Sequence, residues 1–267
     1  MGNSVEIRKS FGMFSKSTLF FILFVLLIPN YAQASFLDSD GDGLSDRDER
    51  YIYFTDPENP DSDGDGYDDG LEVRNNYPPA SSISKKNSQI DSDRDGLNDD
   101  IELKLKTNIM NKDTDGDGYE DGLEVFSGYN PNRNNKDSNV KREVKVDIST
   151  QKLGYYLDDI LIKEYPVSTG RPSAPSPTGE FTIQRKLPIH IYPRISGGYF
   201  TNVKWNLQFK PHYYIHSAYW HNDFGIKARS GGCVNLKEED AEVIYSILRV
   251  GDKVRISGKT PVNGLVQ

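Results

Sequence analysis

The chain has 267 residues and a formal net charge of −8 at pH 7, and 36% of its residues are hydrophobic. This length is enough for more than one compact domain. Asp and Glu greatly outnumber Lys and Arg between residues 38 and 124, whereas residues 143–258 have a slight excess of Lys and Arg. An acidic segment of this strength excludes nucleic acid as a partner and favours cations.

Residues 1–34 are predicted to form a cleaved signal peptide. Arg8, Lys9 and Lys16 form a basic segment, residues 19–28 are apolar without interruption, and Ala32-Gln33-Ala34 is a small-residue cleavage site. The apolar run is short for a membrane span, although an uncleaved N-terminal anchor is the alternative. We therefore expect an exported protein of the periplasm or cell envelope, with no stable membrane span after cleavage.

Four similar acidic segments follow, beginning at Asp38, Asp61, Asp91 and Asp113. Each fits the pattern D-x-D-x-D-G-x5-E, in which the glycine lets the chain turn so that carboxylates converge on one cation. Oxygen ligands of this number and flexibility suit Ca²⁺. Candidate ligands are the carboxylates at positions one, three, five, nine and twelve of the four loops: Asp38, Asp40, Asp42, Asp46, Glu49, Asp61, Asp63, Asp65, Asp69, Glu72, Asp91, Asp93, Asp95, Asp99, Glu102, Asp113, Asp115, Asp117, Asp121 and Glu124.

The four loops repeat as two units of two loops each, within an acidic region predicted to span residues 35–127. Pro57 and Pro60 precede the second loop and exclude the entering helix of an EF-hand there. A solvated acidic linker is the alternative, but it does not explain the fixed positions of the glycines. The segments resemble thrombospondin type 3-like calcium repeats. This resemblance implies structural Ca²⁺ and a region with little regular structure, whose role could be spacing, adhesion or protection from proteolysis.

A polar linker is predicted at residues 128–142, a mainly β domain at 143–258 and a tail at 259–267. Apolar residues alternate with polar ones at Val144, Val146 and Ile148, as in a half-buried strand. Other short segments rich in β-branched and aromatic residues follow, separated by turn residues. Only residues 240–248 have the spacing of apolar residues that is typical of a helix, which Gly251 would end.

Cys233 is the only cysteine of the chain, so it forms no internal disulfide. An unpaired thiol in an exported protein indicates either burial or chemistry. It follows Ser230, Gly231 and Gly232, and His216 lies upstream. An imidazole can activate a thiol nucleophile by taking its proton. Small residues before the thiol let backbone amides approach a substrate carbonyl, so these three residues are predicted to form an oxyanion cradle.

Residues 214–241 resemble the signature of L,D-transpeptidase catalytic domains, which is a His, a spacer, Ser-His-Gly-Cys, an apolar residue and then Asn or Arg. Residues 168–170 and 175–181 are similar to the strand and turn that approach the active site in that family. The resemblance covers about residues 143–256. It departs at one position, because Gly231 stands where the family has a second His. If that imidazole were needed, activity would be weak or altered.

The resemblance implies a β-sandwich-like catalytic domain with one clear helix, and peptidoglycan as the partner. Cys233 would be the nucleophile and His216 its base. The thiolate would attack the bond between stem residue three and D-Ala, form a thioester and pass the acyl group to an amine. If the amine belongs to a neighbouring stem, the product is a 3→3 crosslink; otherwise another amine acceptor is attached. No cofactor is expected to take part in catalysis. Asn235, Arg229 and His221 are weaker candidates for contact with substrate.

Two other functions remain open at this point. The chain could be an L,D-carboxypeptidase or amidase that acts on the same stems. It could also be a calcium-dependent peptidoglycan-binding protein that has lost turnover, which the absence of the second His favours and the spacing of His216 and Cys233 opposes.

Overall fold

The computed structural model describes residues 37–134, 140–194 and 197–266, so the predicted signal peptide lies outside the described residues. The chain divides into two compact units, one ending at Ser84 and the other beginning at Lys85. Among the described residues, no helix has both the length and the apolar character that a membrane span requires. The second unit contains the third and fourth acidic loops together with the predicted catalytic domain.

The first unit consists of two acidic loops, each followed by a short helix. Helix α1 is Asp46–Asp48, continued by a π-helical turn at Glu49–Tyr53, and α2 is Asp69–Arg74. The N–H of Gly70 donates a hydrogen bond to Asp42 Oδ2 at 2.6 Å. A Cβ at Gly70 would lie 2.3 Å from the carbonyl oxygen of Asp42. The second loop therefore needs a glycine at position ten in order to pack against the first.

The second pair of loops has the same arrangement. A 3₁₀ turn at Asn87–Gln89 precedes the third loop, and helices α3 (Asp99–Leu105) and α4 (Asp121–Ser127) follow the third and fourth loops. The N–H of Gly122 donates to Asp95 Oδ2 at 2.7 Å. This pairing gives a physical reason for the predicted two-loop unit, since only the second loop of each pair has glycine at position ten. The sequence predicts little regular structure in the acidic region, whereas the structure has a short helix after each loop.

The rest of the second unit is mainly β, as predicted. Its nine strands and one longer helix are β1 Arg142–Asp147, β2 Lys152–Leu157, β3 Ile160–Pro166, β4 Gly179–Thr182, β5 Arg185–Pro193, β6 Tyr199–Lys210, β7 Tyr213–Ser217, β8 Val234–Leu236, α5 Glu238–Ile247 and β9 Lys253–Ser257. A 3₁₀ turn at Val262–Gly264 follows β9. The helix predicted at residues 240–248 is thus confirmed as α5, with its start two residues earlier.

The strands form two sheets. One has the order β3-β2-β1-β9-β4 and the other the order β5-β6-β7-β8. Neighbouring strands are antiparallel except β1–β9 and β7–β8, which are parallel. The predicted alternation along β1 is confirmed, because Val144 and Val146 are buried there. Apolar side chains from both sheets and from α5 form one core, which includes Leu153, Leu207, Phe209 and Ile244.

The third and fourth acidic loops contribute to that same core. Leu97 and Val125 are fully buried in it. The hydroxyl of Tyr155 on β2 donates to the carbonyl oxygen of Val125 at 3.1 Å. Arg142 donates to the carbonyl oxygen of Gly128 at 2.9 Å and forms an ion pair at 2.9 Å with Asp252. The second pair of loops is therefore structurally part of the catalytic unit.

Replacing Leu97, which is 1% exposed, by Ala should destabilise the whole second unit. Loss of a buried leucine side chain costs about 2–5 kcal/mol in the free energy of unfolding. Both tryptophans of the chain, Trp205 and Trp220, lie in the β region, so their fluorescence during urea unfolding at fixed Ca²⁺ measures the effect. The control is Leu123→Ala, at a side chain that is 54% exposed, which should cost well under about 1 kcal/mol. Equal tryptophan transitions in the two variants would contradict a shared core.

Candidate functional site

The predicted nucleophile and base lie on adjacent parallel strands. His216 is on β7, and Cys233 immediately precedes β8. The register pairs Ile215 with Val234 and His216 with Asn235. His216 and Cys233 line one cavity with a volume of about 720 Å³. Strand pairing thus brings together two residues that are well separated in the sequence.

A backbone carbonyl sets the tautomer of His216. The imidazole is buried, and its Nδ1 lies 2.7 Å from the carbonyl oxygen of Ser217. A carbonyl oxygen can only accept, so Nδ1 has the proton and Nε2 has the lone pair. The ring of Tyr192 stacks on the imidazole, with centroids 4.6 Å apart. Burial lowers the pKa of His216 to about 4, so the imidazole is neutral at neutral pH.

The Cys233 thiol is also neutral at rest. The side chain is partly exposed to the cavity, and Sγ lies 3.9 Å from the carbonyl oxygen of His212. Burial raises the pKa of the thiol to about 11, and a hydrogen bond from the backbone of Tyr214 opposes this effect. The resting site therefore contains a thiol and a neutral imidazole rather than a thiolate–imidazolium pair, and proton transfer must accompany nucleophilic attack.

Ser230 and Gly232 shape the turn that presents the thiol. The hydroxyl of Ser230 donates to the carbonyl oxygen of Cys233 at 2.5 Å and accepts the N–H of Gly232 at 3.0 Å. Gly232 has φ +119°, and a Cβ there would lie 2.7 Å from the Tyr213 ring. The turn therefore needs glycine at position 232. The N–H of Gly232 donates to Ser230 within the turn. The oxyanion-cradle role predicted for Gly232 requires instead an N–H that a substrate can reach.

Gly231, in contrast, is exposed, and no atom lies within 4 Å of the place where its Cβ would be. Its φ is outside the left-handed region. The backbone and the surrounding space therefore accept a larger side chain at this position. The turn therefore does not require glycine at position 231.

The three weaker candidates all line the cavity. Asn235 is buried, and its amide nitrogen lies 3.2 Å from His221 Nε2, while its Oδ1 has no hydrogen-bond partner among the described residues. Arg229 forms an ion pair with Asp223. Sequence reasoning did not identify Tyr192, the residue that stacks on the base. Its only sequence signal is its position two residues after His190, which puts both side chains on one face of a strand.

The acidic loops bring three carboxylates together in each repeat. Ligand oxygens of the residues at positions one, three and five lie within 4.8 Å of one another in each loop. The Glu at position twelve is buried in all four loops. Among the described residues, one oxygen of each position-three Asp and of each position-twelve Glu has no hydrogen-bond partner; these residues are Asp40, Glu49, Asp63, Glu72, Asp93, Glu102, Asp115 and Glu124.

These orphaned carboxylates fit a cation. Burial, reinforced by the carboxylates at positions three and five, raises the pKa of Glu49 and Glu72 to about 7. The same causes raise the pKa of Glu102 and Glu124 to about 8. A buried carboxylate without a partner is unfavourable, and a divalent cation removes this cost by coordinating the free oxygens.

The predicted ligands at position nine lie outside the three-carboxylate clusters. Asp46 accepts hydrogen bonds from the N–H and hydroxyl of Ser39, at 2.9 and 3.0 Å. Asp121 likewise accepts from the N–H and hydroxyl of Thr114. The corresponding residues Asp69 and Asp99 accept from the position-two serines of their loops. In this structure the position-nine carboxylates join the start of each loop to the helix that follows it.

Comparison with known proteins gives two matches along the chain. Residues 141–256 match the L,D-transpeptidase catalytic domain family, YkuD. Residues 38–60, 61–76, 91–108 and 113–134 match the bacterial TSP3 repeat. These matches correspond to the four acidic loops and to the mainly β domain, so both resemblances found in the sequence are confirmed.

Curated proteins that are similar to this chain are also named as L,D-transpeptidases. The putative L,D-transpeptidase YkuD of Bacillus subtilis is 32% identical over 119 residues, which cover 44% of this chain and 67% of that protein. Probable L,D-transpeptidase 3 of Mycobacterium tuberculosis is 33% identical over 99 residues, which are 33% of this chain and 36% of that protein. The match thus spans only about a third of the mycobacterial protein.

Among solved structures, an L,D-transpeptidase from Mycobacterium smegmatis matches with 26% identity and a TM-score of 0.42, over 44% of this chain and 59% of that chain. The identity to the B. subtilis protein over two thirds of its length, and the match of residues 141–256, lead to one conclusion. This chain belongs to the L,D-transpeptidase catalytic-domain family, with bacterial TSP3 repeats preceding that domain.

Proposed function

We propose that this chain is an exported cysteine L,D-transpeptidase that acts on peptidoglycan stem peptides through a thioester on Cys233. The observation that supports the proposal most strongly is the shared cavity of Cys233 and His216, in which the Ser217 carbonyl leaves the lone pair of the imidazole on Nε2. General-base activation requires a neutral base that can reach the thiol, and a neutral imidazole in the same cavity as Cys233 is consistent with this role.

The proposed reaction has two steps. In acylation, His216 Nε2 takes the proton of Cys233 as Sγ attacks the carbonyl carbon of stem residue three, and the departing amine of D-Ala receives that proton. In the second step an acceptor amine attacks the thioester and loses a proton to Nε2, which returns it to the thiol. A side-chain amine of a second stem gives a 3→3 crosslink. Water would instead give an L,D-carboxypeptidase.

The turn before Cys233 and one wall of the cavity contain the groups that would stabilise the intermediate and contact the substrate. The N–H groups of Ser230 and Gly232 already donate within the protein, so we assign the other amides of this turn, beside the exposed Gly231, to stabilisation of the oxyanion of the tetrahedral intermediate. His221 and Asn235 form one polar wall of the cavity, where they can contact the substrate backbone. Because His216 alone can accept and return the proton, the proposal requires no second imidazole at position 231.

The four TSP3 loops are proposed to bind structural Ca²⁺. The residues that would coordinate it are the carboxylates at positions one, three, five and twelve of each loop. The residues at positions three and twelve contribute an orphaned oxygen in every loop. Bound cations would fix the loops and, in the second unit, the helices α3 and α4 that pack on the catalytic domain. A calcium-dependent peptidoglycan-binding protein without turnover is the second candidate, which the glycine at position 231 and the raised pKa of Cys233 favour.

The native chain, incubated with a tetrapeptide muropeptide, should gain the mass of the tripeptide acyl group and release D-Ala. Cys233→Ala and His216→Gln should show no adduct and at least about a 10²-fold loss of product, since each removes one member of the dyad. Intact-protein mass and product chromatography measure both outcomes. Dimeric products identify a transpeptidase, and tripeptide alone identifies a carboxypeptidase.

Gly231→His tests whether a second histidine is needed, because position 231 has room for the larger side chain. It should unfold at the same temperature as the native chain and form the same adduct. Absence of adduct in a natively folded chain with Ca²⁺, together with its appearance in Gly231→His, would contradict a dyad that is sufficient by itself. Absence of adduct in both would favour the binding protein.

Removal of one calcium ligand should test the coupling between the loops and the catalytic domain. Ca²⁺ that binds only the folded state adds about 1.4 kcal/mol for each tenfold excess over its Kd, or about 2–4 °C in Tm per kcal/mol. Glu102→Gln should reduce this Ca²⁺-dependent rise in the Tm followed by tryptophan fluorescence. Glu72→Gln makes the same change in the other compact unit and should not reduce it. An equal effect of the two variants would contradict the coupling.

A further inference from the structure

The cavity that contains Cys233 has an excess of positive charge. In the described part of the chain, its lining includes three arginines, Arg171, Arg194 and Arg229, and no Asp or Glu. The chain as a whole has a net charge of −8, so the cavity reverses the overall sign. A cleft lined by charge of one sign concentrates ligands of the opposite sign.

Among the residues that the structure describes, two of the three guanidinium groups have no carboxylate partner. Arg229 forms an ion pair with Asp223. Arg171 Nε donates to the hydroxyl of Ser173 at 2.9 Å, and the guanidinium of Arg194 lies over the Phe200 ring at 4.4 Å. Within the ranges that the structure describes, neither Arg171 nor Arg194 forms an ion pair. Their charges are therefore available to a ligand.

Both arginines lie on segments that line the cavity. The N–H of Arg171 donates to the carbonyl oxygen of Ser230 at 3.1 Å, which places it next to the turn that presents the thiol. Arg194 immediately follows β5, two residues after Tyr192, whose ring stacks on His216. The guanidinium groups thus approach the cavity from two separate segments, on the side of the nucleophile and on the side of the base.

We propose that Arg171 and Arg194 make this site selective for anionic donors. The preferred substrate is a stem peptide with free carboxylates, and the same peptide with its carboxylates amidated is disfavoured. This inference rests on the proposed function for the identity of the donor. Arginine forms strong, directional, charge-assisted hydrogen bonds with a carboxylate, and a neutral amide forms weaker ones.

Alkylation of Cys233 tests the charge preference without any turnover. The chain has a single cysteine, so iodoacetate and iodoacetamide modify one site through the same thiolate. The ratio of the iodoacetate rate to the iodoacetamide rate should exceed the ratio for N-acetylcysteine at the same pH by at least about threefold. A change in the pKa of the thiol alters the rates of both reagents by the same factor, so it does not alter this ratio. High salt should reduce it.

The variants Arg171→Gln and Arg194→Gln should each lower the rate ratio about twofold or more, and the double variant should bring it close to that of N-acetylcysteine. Arg185→Gln is the matched control, because Arg185 is on β5 but does not line the cavity. A native ratio equal to that of N-acetylcysteine, or a ratio that only the control variant changes, would overturn the proposal.

Donor selection is measured by acylation with matched tetrapeptides. One peptide has all its carboxylates free, one is amidated on the side chains and one is amidated at the C-terminal D-Ala. The free peptide should acylate Cys233 with a kcat/KM about tenfold or more above that of at least one amidated peptide, and the amidated position identifies the carboxylate recognised. Equal values for all three would overturn the proposal while the proposed function stands. If no peptide reacts and the alkylation ratio is high, the proposed function fails and the anion preference stands.

Discussion

The proposed chemistry depends on the hydrogen bond between His216 Nδ1 and the Ser217 carbonyl, together with the parallel pairing of β7 and β8. The hydrogen bond fixes the tautomer, and the strand pairing places Cys233 in the same cavity. Stacking with Tyr192, whose hydroxyl donates to Asn206 at 2.8 Å, holds the plane of the ring. In the proposed reaction a single imidazole serves as both base and acid, so that proposal requires no histidine at position 231.

A second constraint connects the acidic loops with the catalytic domain. Gly122 lets the fourth loop pack on the backbone of Asp95 in the third, and Leu97 and Val125 then extend the core of the β domain. Electrostatic repulsion among carboxylates opposes this packing, whereas cation binding would relieve it. The loops of the second unit are therefore both candidate cation sites and a part of the support for the catalytic strands.

The sequence predicts features that short-range patterns determine. Loop spacing identifies the four acidic clusters, and apolar periodicity identifies β1 and α5. The motif around Cys233 predicts His216 as its partner, and both residues line one cavity. Contacts between distant segments are not encoded in such patterns. Burial of Leu97, stacking of Tyr192 on the base and the approach of Arg171 to the Ser230 turn arise only when sheets and loops assemble. The resting charge state of the dyad is equally invisible, because it depends on burial.

The most direct test of a neutral dyad is ¹⁵N NMR of histidine-labelled protein with Ca²⁺, with the His216 signal assigned by its loss in His216→Gln. Because burial lowers the pKa of His216 to about 4, the ring should be protonated only below that pH and neutral above it. The account predicts a protonated Nδ1 and an unprotonated Nε2 from about pH 6 to pH 9. An imidazolium at pH 7, paired with a Cys233 thiolate, would contradict the account.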